Sequence, residues 1–517
     1  MIKKDWFRVK KYPHIGMPIT PIDRKWVDQF VKNPKAIAVH GFYPFIHKKL
    51  SVRKFRKEIL NDGSRSKLRN SSNKTREIYF ANHLDSNIYS YYSELLNKHY
   101  ESKLLLNGLQ DCVIAYRRIP LNSNRNKCNI DFADEVFQFI KNSSEEEIVA
   151  LTFDIKSFFD NLDHKLLKKA WCNILSLKTL EKDHYNIFKN ITKFSYIEEK
   201  RLFQEFKDSI IVETKSGIIK NRKIVKSIYL RNKRAIAYCD FKDFDKRIRK
   251  NKLIVKNKYN YVESVVKAKK MFSKESKRIK GIPQGSPISA TLANIYLLEF
   301  DELINREVIS RGGLYRRYSD DMIIICKKDD EMDLIDKVKT EIVSENNKLE
   351  IQDAKTQIFI FRKENGRFKC YQKHGELERD NKKFEYLGFE FDGKYITLRS
   401  ASLSSYYRKL KRSMRKAHFY ARYTKNVNAK GLIFKSRLYK RFSHLGSGRR
   451  RIYERDKFDK TKWNISNRYD WGNYLSYAKM AARIMGENKI NKQLSRNWNI
   501  LNNLIKEKEN DLKNLNK

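Results

Sequence analysis

Two adjacent carboxylates, Asp320 and Asp321, stand between a pair of arginines and an apolar run in RRYSDDMIII, residues 316–325. A third, Asp154, ends the apolar run IVALTF at 148–153. Carboxylates that face one another repel unless a cation neutralises them. Hard oxygen ligands of this kind suit Mg²⁺, which keeps waters and completes its shell from substrate phosphates. Two such ions roughly 3.5–4 Å apart would activate a sugar hydroxyl and stabilise a leaving pyrophosphate, the two-metal route for nucleotidyl transfer. Taken alone, the Asp320-Asp321 pair has a second reading as a charged turn at the head of a buried strand, because Asp bonds its own backbone and tolerates turn geometry. The chemistry requires that two separated strands bring their ends to one edge of a sheet.

Periodicity predicts the elements that would do so. Residues 148–153 read as a buried strand, and LDHKLLKKAWCNIL after it as a helix with Leu162, Leu166, Leu167 and Ala170 on one face and Asp163 near its positive end. Residues 112–133 read as a β-hairpin, CVIAYRRIP and KCNIDFA flanking LNSNRN, with a helix beyond it in ADEVFQFIKN. GIPQGSPISATLANIYLLEF, 281–300, opens on Gly and Pro turns and enters a helix near Ser289, with Ala290, Ala293, Asn294 and Leu297 at helical spacing. A strand pair around Ser319, a helix from about Glu331 to Asn346, and two strands ending in FEYLGFEF, 384–391, complete this part. Asp160 and Asp163 read as a turn residue and a helix cap, His164 as structural, Phe158 and Trp171 as core. Residues 1 to about 100 are basic and aromatic, and 61–75, NDGSRSKLRNSSNKT, read as a loop or linker. From about 400 the chain reads as helical and strongly basic.

The composition asks for a polyanionic partner. Lys and Arg number 111 against 61 Asp and Glu, a net +50 spread over most of the 517 residues. Residues 408–422 carry seven cations and no acid, and Arg408, Lys409, Lys411, Arg412, Arg415 and Lys416 are candidates to track phosphates. An aromatic share of 13% implies folded cores, and the length allows two or three domains. There is no run of about 18 apolar residues to span a bilayer, nor an apolar segment near the start of the secretory kind. Six scattered cysteines without a C-x-x-C pair read as buried thiols in a reducing compartment. A cytoplasmic protein without a membrane partner is expected.

LTFDIKSFFDNLDH (151–164), GIPQGSPISATLANIY (281–296), RYSDDMIII (317–325), the Lys355-Thr356 step and FEYLGFEF (384–391) resemble, in order, palm motifs A to E of reverse transcriptases. Five ordered motifs make the resemblance specific. It implies an α+β, right-hand polymerase fold: a basic N-terminal extension over 1–100, fingers and an antiparallel palm over 101–400 with an insertion at about 180–280, and a helical basic thumb over 401–517. It also implies roles. Asp154 and Asp320 would be the principal ligands of two Mg²⁺ ions, with Mn²⁺ as the alternative, Asp321 the third carboxylate and the Ile155 carbonyl an extra oxygen. Lys355 would be the acid for the leaving pyrophosphate, and Phe159 a steric gate that selects dNTPs. Gln284 and Gly285 would shape the nucleotide pocket, with Ser286 and Pro287 fixing its turn, and Tyr386, Leu387 and Gly388 would form the primer grip. Arg117, Arg118, Arg125 and Lys127 are candidates for the triphosphate, although 122–126, NSNRN, departs from the Gly-rich tip usual in the family.

No second acidic set of the RNase H kind follows residue 400, and neither a Cys/His endonuclease module nor the retron boxes are found. YPHIGMPIT, HGFYPFIH, the AYRRIP to NIDFADEVFQFI segment and the long insertion between motifs A and B resemble the bacterial defence-associated, or unknown-group, enzymes, with the type 2 and type 9 systems nearest. That resemblance implies an RNA-directed DNA polymerase that copies a structured non-coding RNA into repetitive or homopolymeric DNA during antiphage defence. It implies a template-primer duplex as a further partner and, from the type 9 side, a homo-oligomer. The alternative is a template-independent polymerase of the abortive-infection type, primed by one of 29 tyrosines. A non-catalytic RNA scaffold is a third reading, disfavoured by the presence of all three carboxylates.

Overall fold

A six-stranded antiparallel sheet carries the site. The computed structural model describes residues 6–59, 65–122, 125–214, 216–256, 259–261, 265–267, 270–272, 275–380, 382–448, 450–455, 459, 461–470 and 472–514. The sheet order is Leu314–Tyr318, Asp321–Lys327, Glu147–Asp154, Gln357–Glu364, Arg367–His374, Leu377–Arg379. Successive side chains point to opposite faces. Val149, Leu151, Met322 and Ile324 enter one core, shared with helices His83–Leu106, His164–Leu175 and Leu298–Ser310. Ile148, Ala150, Ile323, Ile325 and Phe359 enter a second, against helix Asn129–Lys141 and the small sheet Phe384–Tyr386, Phe389–Phe391, Ile396–Leu398. Both faces being covered explains why the central strand reads as an unbroken apolar run.

The N-terminal hundred residues are no appendage. Val27, Val31, Ile37, Ile88 and Leu96 belong to the same core as Val149 and Leu151, and the expected boundary at 100 falls inside helix His83–Leu106. Phe45–Ile59 and Arg65–Phe80 form a long antiparallel hairpin, joined to Ser195–Glu198 and Val255–Lys256. The loop expected over 61–75 is therefore strand from Arg65 onward, and 61–64 lie outside the described residues. Its polar side chains disguise it: positions 49–53 are exposed without alternation, so over this described stretch the ribbon rests on its backbone ladder and shows no period-two apolar pattern. A second small sheet pairs His14–Ile15 with Ala235–Cys239, so the 180–280 insertion folds onto the N-terminal segment.

Two further expectations differ. No hairpin occupies the described part of 112–133: it holds turns, the isolated bridges Val113↔Arg317 and Pro120↔Asn126, and then the helix, which starts at Asn129. NIDFA follows the helical period, not the strand period. Ile130, Ala133, Val136, Phe137 and Ile140 are all buried at helical spacing, and Asp131 accepts from the Cys128 N–H at 2.8 Å to start the helix. The C-terminal region is a bundle of Ser400–Tyr423, Lys435–Phe442, Tyr474–Ile484 and Asn497–Asn514, but it also contains a strand pair, Arg450–Arg455 with Trp463–Asp470. All six cysteines are free, and all but the half-buried Cys128 are buried. No helix among the described residues is long and apolar enough to cross a membrane.

Candidate active site

Strand register joins the separated carboxylates. Asp321 pairs directly with Asp154 across neighbouring strands, and the Ile155 N–H donates to the Asp320 carbonyl at 3.0 Å. Tyr318 pairs with Asp321, leaving Ser319 and Asp320 as a two-residue loop. Ser319 has φ +63°, the left-handed geometry of the primed turns that match strand twist, held here without glycine. Tyr116, Ser157 and Leu387, at φ +63°, +46° and +43°, share that geometry and flank the same motifs. Such strain persists where surrounding structure enforces it.

Lys355 completes this edge. Gln352 N–H donates to the Asp154 carbonyl at 2.8 Å and Lys156 N–H to Glu350 at 2.9 Å, so the chain before Lys355 runs along the end of the Asp154 strand. From the short helical turn Asp353–Lys355, the Lys355 ammonium reaches Asp154 Oδ1 at 2.6 Å. Facing it, Ile282 N–H donates to the Phe159 carbonyl at 2.9 Å and Gly281 N–H to Leu162 at 2.8 Å, which zips the turn after Asp154 to the 281–285 loop. The half-buried Phe159 therefore lies beside that loop. Asp163 caps helix His164–Leu175 through the N–H groups of Lys165 and Leu166, as expected, and buried His164 bonds the Gly281 carbonyl at 2.8 Å.

Gly285 meets the base of the long hairpin. Tyr79 N–H donates to the Gln284 carbonyl at 2.9 Å, and a Cβ on Gly285, whose φ is +111°, would stand 2.9 Å from the Tyr79 carbonyl. The sequence reading missed this contact. The cation-rich Phe45–Phe80 hairpin, rather than 113–133, closes on the 281–285 loop.

Arg317 is the other residue missed. Its guanidinium is fully buried and makes two bonds to Asp301, Nε to Oδ1 at 2.7 Å and Nη2 to Oδ2 at 2.6 Å. Nη1 donates to Asn294 Oδ1 at 3.2 Å and to the Ser319 carbonyl at 3.1 Å. Burial opposes the charge, but Asp301 carries the Arg317 pKa above its ordinary value. Asn294 in turn donates to the Ala115 carbonyl at 3.0 Å. One side chain thus ties the strained turn bearing Asp320 to the helix after the 281–285 loop. The signal was available: Tyr315 and Arg317 occupy the inward positions of Leu314–Tyr318, and an inward Arg demands a buried acid.

The expected triphosphate cations are mostly engaged elsewhere. Arg117 is ion-paired with Glu101 at 2.6 Å and also donates to the Gln110 and Val113 carbonyls; Arg125 is bidentate to Asp131; Lys127 pairs with Glu135 at 2.6 Å. These pairs fasten the 111–127 segment to its neighbouring helices, whereas Arg118 is exposed. Tyr386 pairs with Phe389, leaving Leu387 and Gly388 as a loop with φ +43° and +97°. Leu387 and Tyr318 pack on the same small cluster of Ile114, Ile119 and Phe132, which brings the expected primer grip to the base of the Asp320 hairpin. Arg408, Lys409, Lys411, Arg412, Arg415 and Lys416 are all exposed on helix Ser400–Tyr423.

The donor set at the palm edge fits a hard divalent cation, being carboxylate oxygens made adjacent by register. The crowding is not yet that of a cage. Among the described residues, the ligand atoms lying within 4.8 Å of one another belong to Glu181, Asp183 and His184, and there Tyr92 donates to Asp183 at 2.6 Å and Trp171 to His184 at 3.2 Å.

Residues 194–391 match the family model for reverse transcriptase, RNA-dependent DNA polymerase. The match includes the 281–296 segment, the Asp320 hairpin, Lys355 and the 384–391 turn, and register adds Asp154 to them. The chain therefore contains a reverse transcriptase domain on a right-hand polymerase fold, the module of a class of nucleotidyltransferases that use divalent metal ions. Similar solved structures include apo telomerase from Candida tropicalis, 11% identical over 80% of this chain and 61% of that one with a TM-score of 0.35. The same enzyme truncated from its C-terminal domain gives 11%, 72%, 59% and 0.34. Telomerase from Candida albicans in complex with a TWJ fragment of telomeric RNA gives 14%, 77%, 54% and 0.33. The chain thus spans less than two thirds of the length of each. No curated protein matches it.

Proposed function

We propose that this protein is an RNA-directed DNA polymerase that copies a structured non-coding RNA, and that it acts in bacterial antiphage defence. The observation that carries the catalytic part is the direct pairing of Asp321 with Asp154 beside Lys355. Asp154, Asp320 and Asp321, with the Ile155 carbonyl, would hold two divalent ions, Mg²⁺ by the hardness of the donors. When bound, such ions supply charge neutralisation to the triphosphate and its leaving pyrophosphate. The remaining work belongs to the chain. Lys355 is within reach of the same edge to give a proton to the pyrophosphate; Phe159 would exclude a ribose 2′-hydroxyl; Gln284 and Gly285 would floor the nucleotide pocket; Tyr386, Leu387 and Gly388 would hold the primer end.

The RNA partner is supported by the charge of +50, far beyond what a cleft for one duplex uses. The defence role, the type 2 or type 9 assignment, a repetitive product and a homo-oligomer rest on the sequence resemblance. The experiment is the double variant Asp320→Ala with Asp321→Ala in phage-challenged cells, with copurifying RNA and new DNA sequenced in parallel. Loss of DNA and of protection with RNA still bound is expected. Protection without DNA synthesis would sink the enzymatic reading, and a DNA adduct on the protein that survives denaturant would transfer it to protein-primed synthesis.

A further inference from the structure

Helix Ser400–Tyr423 buries Tyr406, Leu410, Met414 and Ala421, a single stripe at four- and seven-residue spacing. Arg408, Arg412, Arg415, Phe419 and Tyr423 consequently lie on the opposite, solvent side. Phe419 and Tyr423 are 64% and 59% exposed, yet their rings touch, with centroids 4.7 Å apart. Arg422 lies 5.1 Å from the Tyr423 ring centroid. Around the helix, exposed Tyr420 meets exposed Phe434 at 6.3 Å. Three aromatic rings of this helix, with Phe434 at the start of helix Lys435–Phe442 beside them, therefore face water together, where a single exposed ring would call for no explanation.

Their electrostatic setting selects the occupant. From residue 393 to 453 the sequence holds 18 Lys and Arg and no Asp or Glu. A partner for this face is strongly anionic, and to cover open ring faces it must also offer flat apolar surface. Unpaired nucleobases on a phosphate backbone meet both needs; a duplex keeps its base faces stacked inside. We propose that Phe419 and Tyr423 form a stacking platform for unpaired bases of a single-stranded nucleic acid, with Arg408, Arg412, Arg415 and Lys416 along its phosphates. This rests on the reading of the C-terminal helices as nucleic-acid-binding, and it assigns them a preference for single strands that charge alone does not confer.

The test is fluorescence anisotropy on the full-length protein with labelled oligouridylate, oligothymidylate and a blunt duplex of equal length, across a salt series. Phe419→Ala with Tyr423→Ala lowers single-strand affinity at least about tenfold, leaves duplex affinity within about twofold, and keeps the salt slope. Loss on the ribose strand, the deoxyribose strand or both supports the platform and names its source. Phe419→Tyr with Tyr423→Phe retains binding, since the rings remain. Arg415→Ala with Lys416→Ala weakens single strand and duplex alike and flattens the slope. Unchanged single-strand binding in the Ala pair, while the cation pair still weakens it, overturns the platform and leaves the basic face standing. An equal fall on single strand and duplex in the Ala pair also overturns it, as helix damage. If neither pair alters any oligonucleotide, the nucleic-acid reading of this face falls too, and a protein partner takes its place.

Discussion

Arg317→Met is the perturbation that best separates holding the palm together from positioning its carboxylates. Methionine roughly fills the space but leaves the Asp301 carboxylate, itself fully buried, with the Tyr315 hydroxyl at 2.9 Å as its surviving partner. Breaking a buried ion pair from one side costs about 3–5 kcal/mol. The bonds to Asn294 and the Ser319 carbonyl belong to the same network and do not add independently. Against a typical total of about 5–15 kcal/mol, this is about a fifth or more of the stability of the domain. Urea unfolding with linear extrapolation measures it. Adding Asp301→Leu removes the orphaned charge and restores the protein to within about 1–2 kcal/mol of wild type. The double variant still lacks the clamp on the Ser319 carbonyl, so its kcat falls about tenfold or more while it folds well. A loss under about 1 kcal/mol in the single variant, or full kcat in the stable double variant, refutes the clamp.

Three other outcomes follow from the geometry. Gly285→Ala places a Cβ against the Tyr79 carbonyl and Ile78 at a φ of +111°, costs about 1–3 kcal/mol in strain, and raises the KM for dNTPs; an unchanged KM detaches the hairpin base from the nucleotide pocket. Phe159→Ala admits ribonucleotides in a competition assay, and unaltered sugar selectivity assigns the gate to another residue. Burial lowers the His14 pKa to about 3, its Nδ1 accepting from Ile15 N–H at 2.8 Å and its Nε2 bonded to the Phe80 carbonyl at 3.0 Å. The unfolded chain then binds the extra proton, so stability is complete above about pH 6.5 and is lost as pH falls toward 3, by about 2 kcal/mol at pH 5. Burial also lowers the pKa values of His83, His164 and His184, in the same direction. Urea midpoints that stay level between pH 7.5 and about 5 contradict this.

The palm was legible because its two central strands share one pattern: an apolar run with carboxylates at one end, after it at Asp154 and before it at Asp320 and Asp321. That pattern located Asp154, Asp320 and Asp321, and their motif order located Lys355 and the 384–391 turn. What stayed hidden depended on pairing across long sequence separations. The Phe45–Phe80 hairpin is exposed over 49–53 without alternation, and its 61–75 sequence is polar, so polarity disguised a strand as a linker. The 112–133 segment failed for the opposite reason, since IDFADEV satisfies both a short apolar strand and the first turns of a helix. Arg117 looks like a phosphate ligand by type, and only the fold shows Glu101 beside it, sixteen residues earlier on helix His83–Leu106.

The central claim is that Asp154, Asp320 and Asp321 form one polymerising centre, and primer extension on an RNA template with dNTPs and Mg²⁺ tests it most directly. The account predicts that wild-type protein extends the primer and that Asp154→Asn, which lies outside the 194–391 match, is as inactive as Asp320→Asn with template affinity unchanged. Extension that survives Asp154→Asn would contradict it.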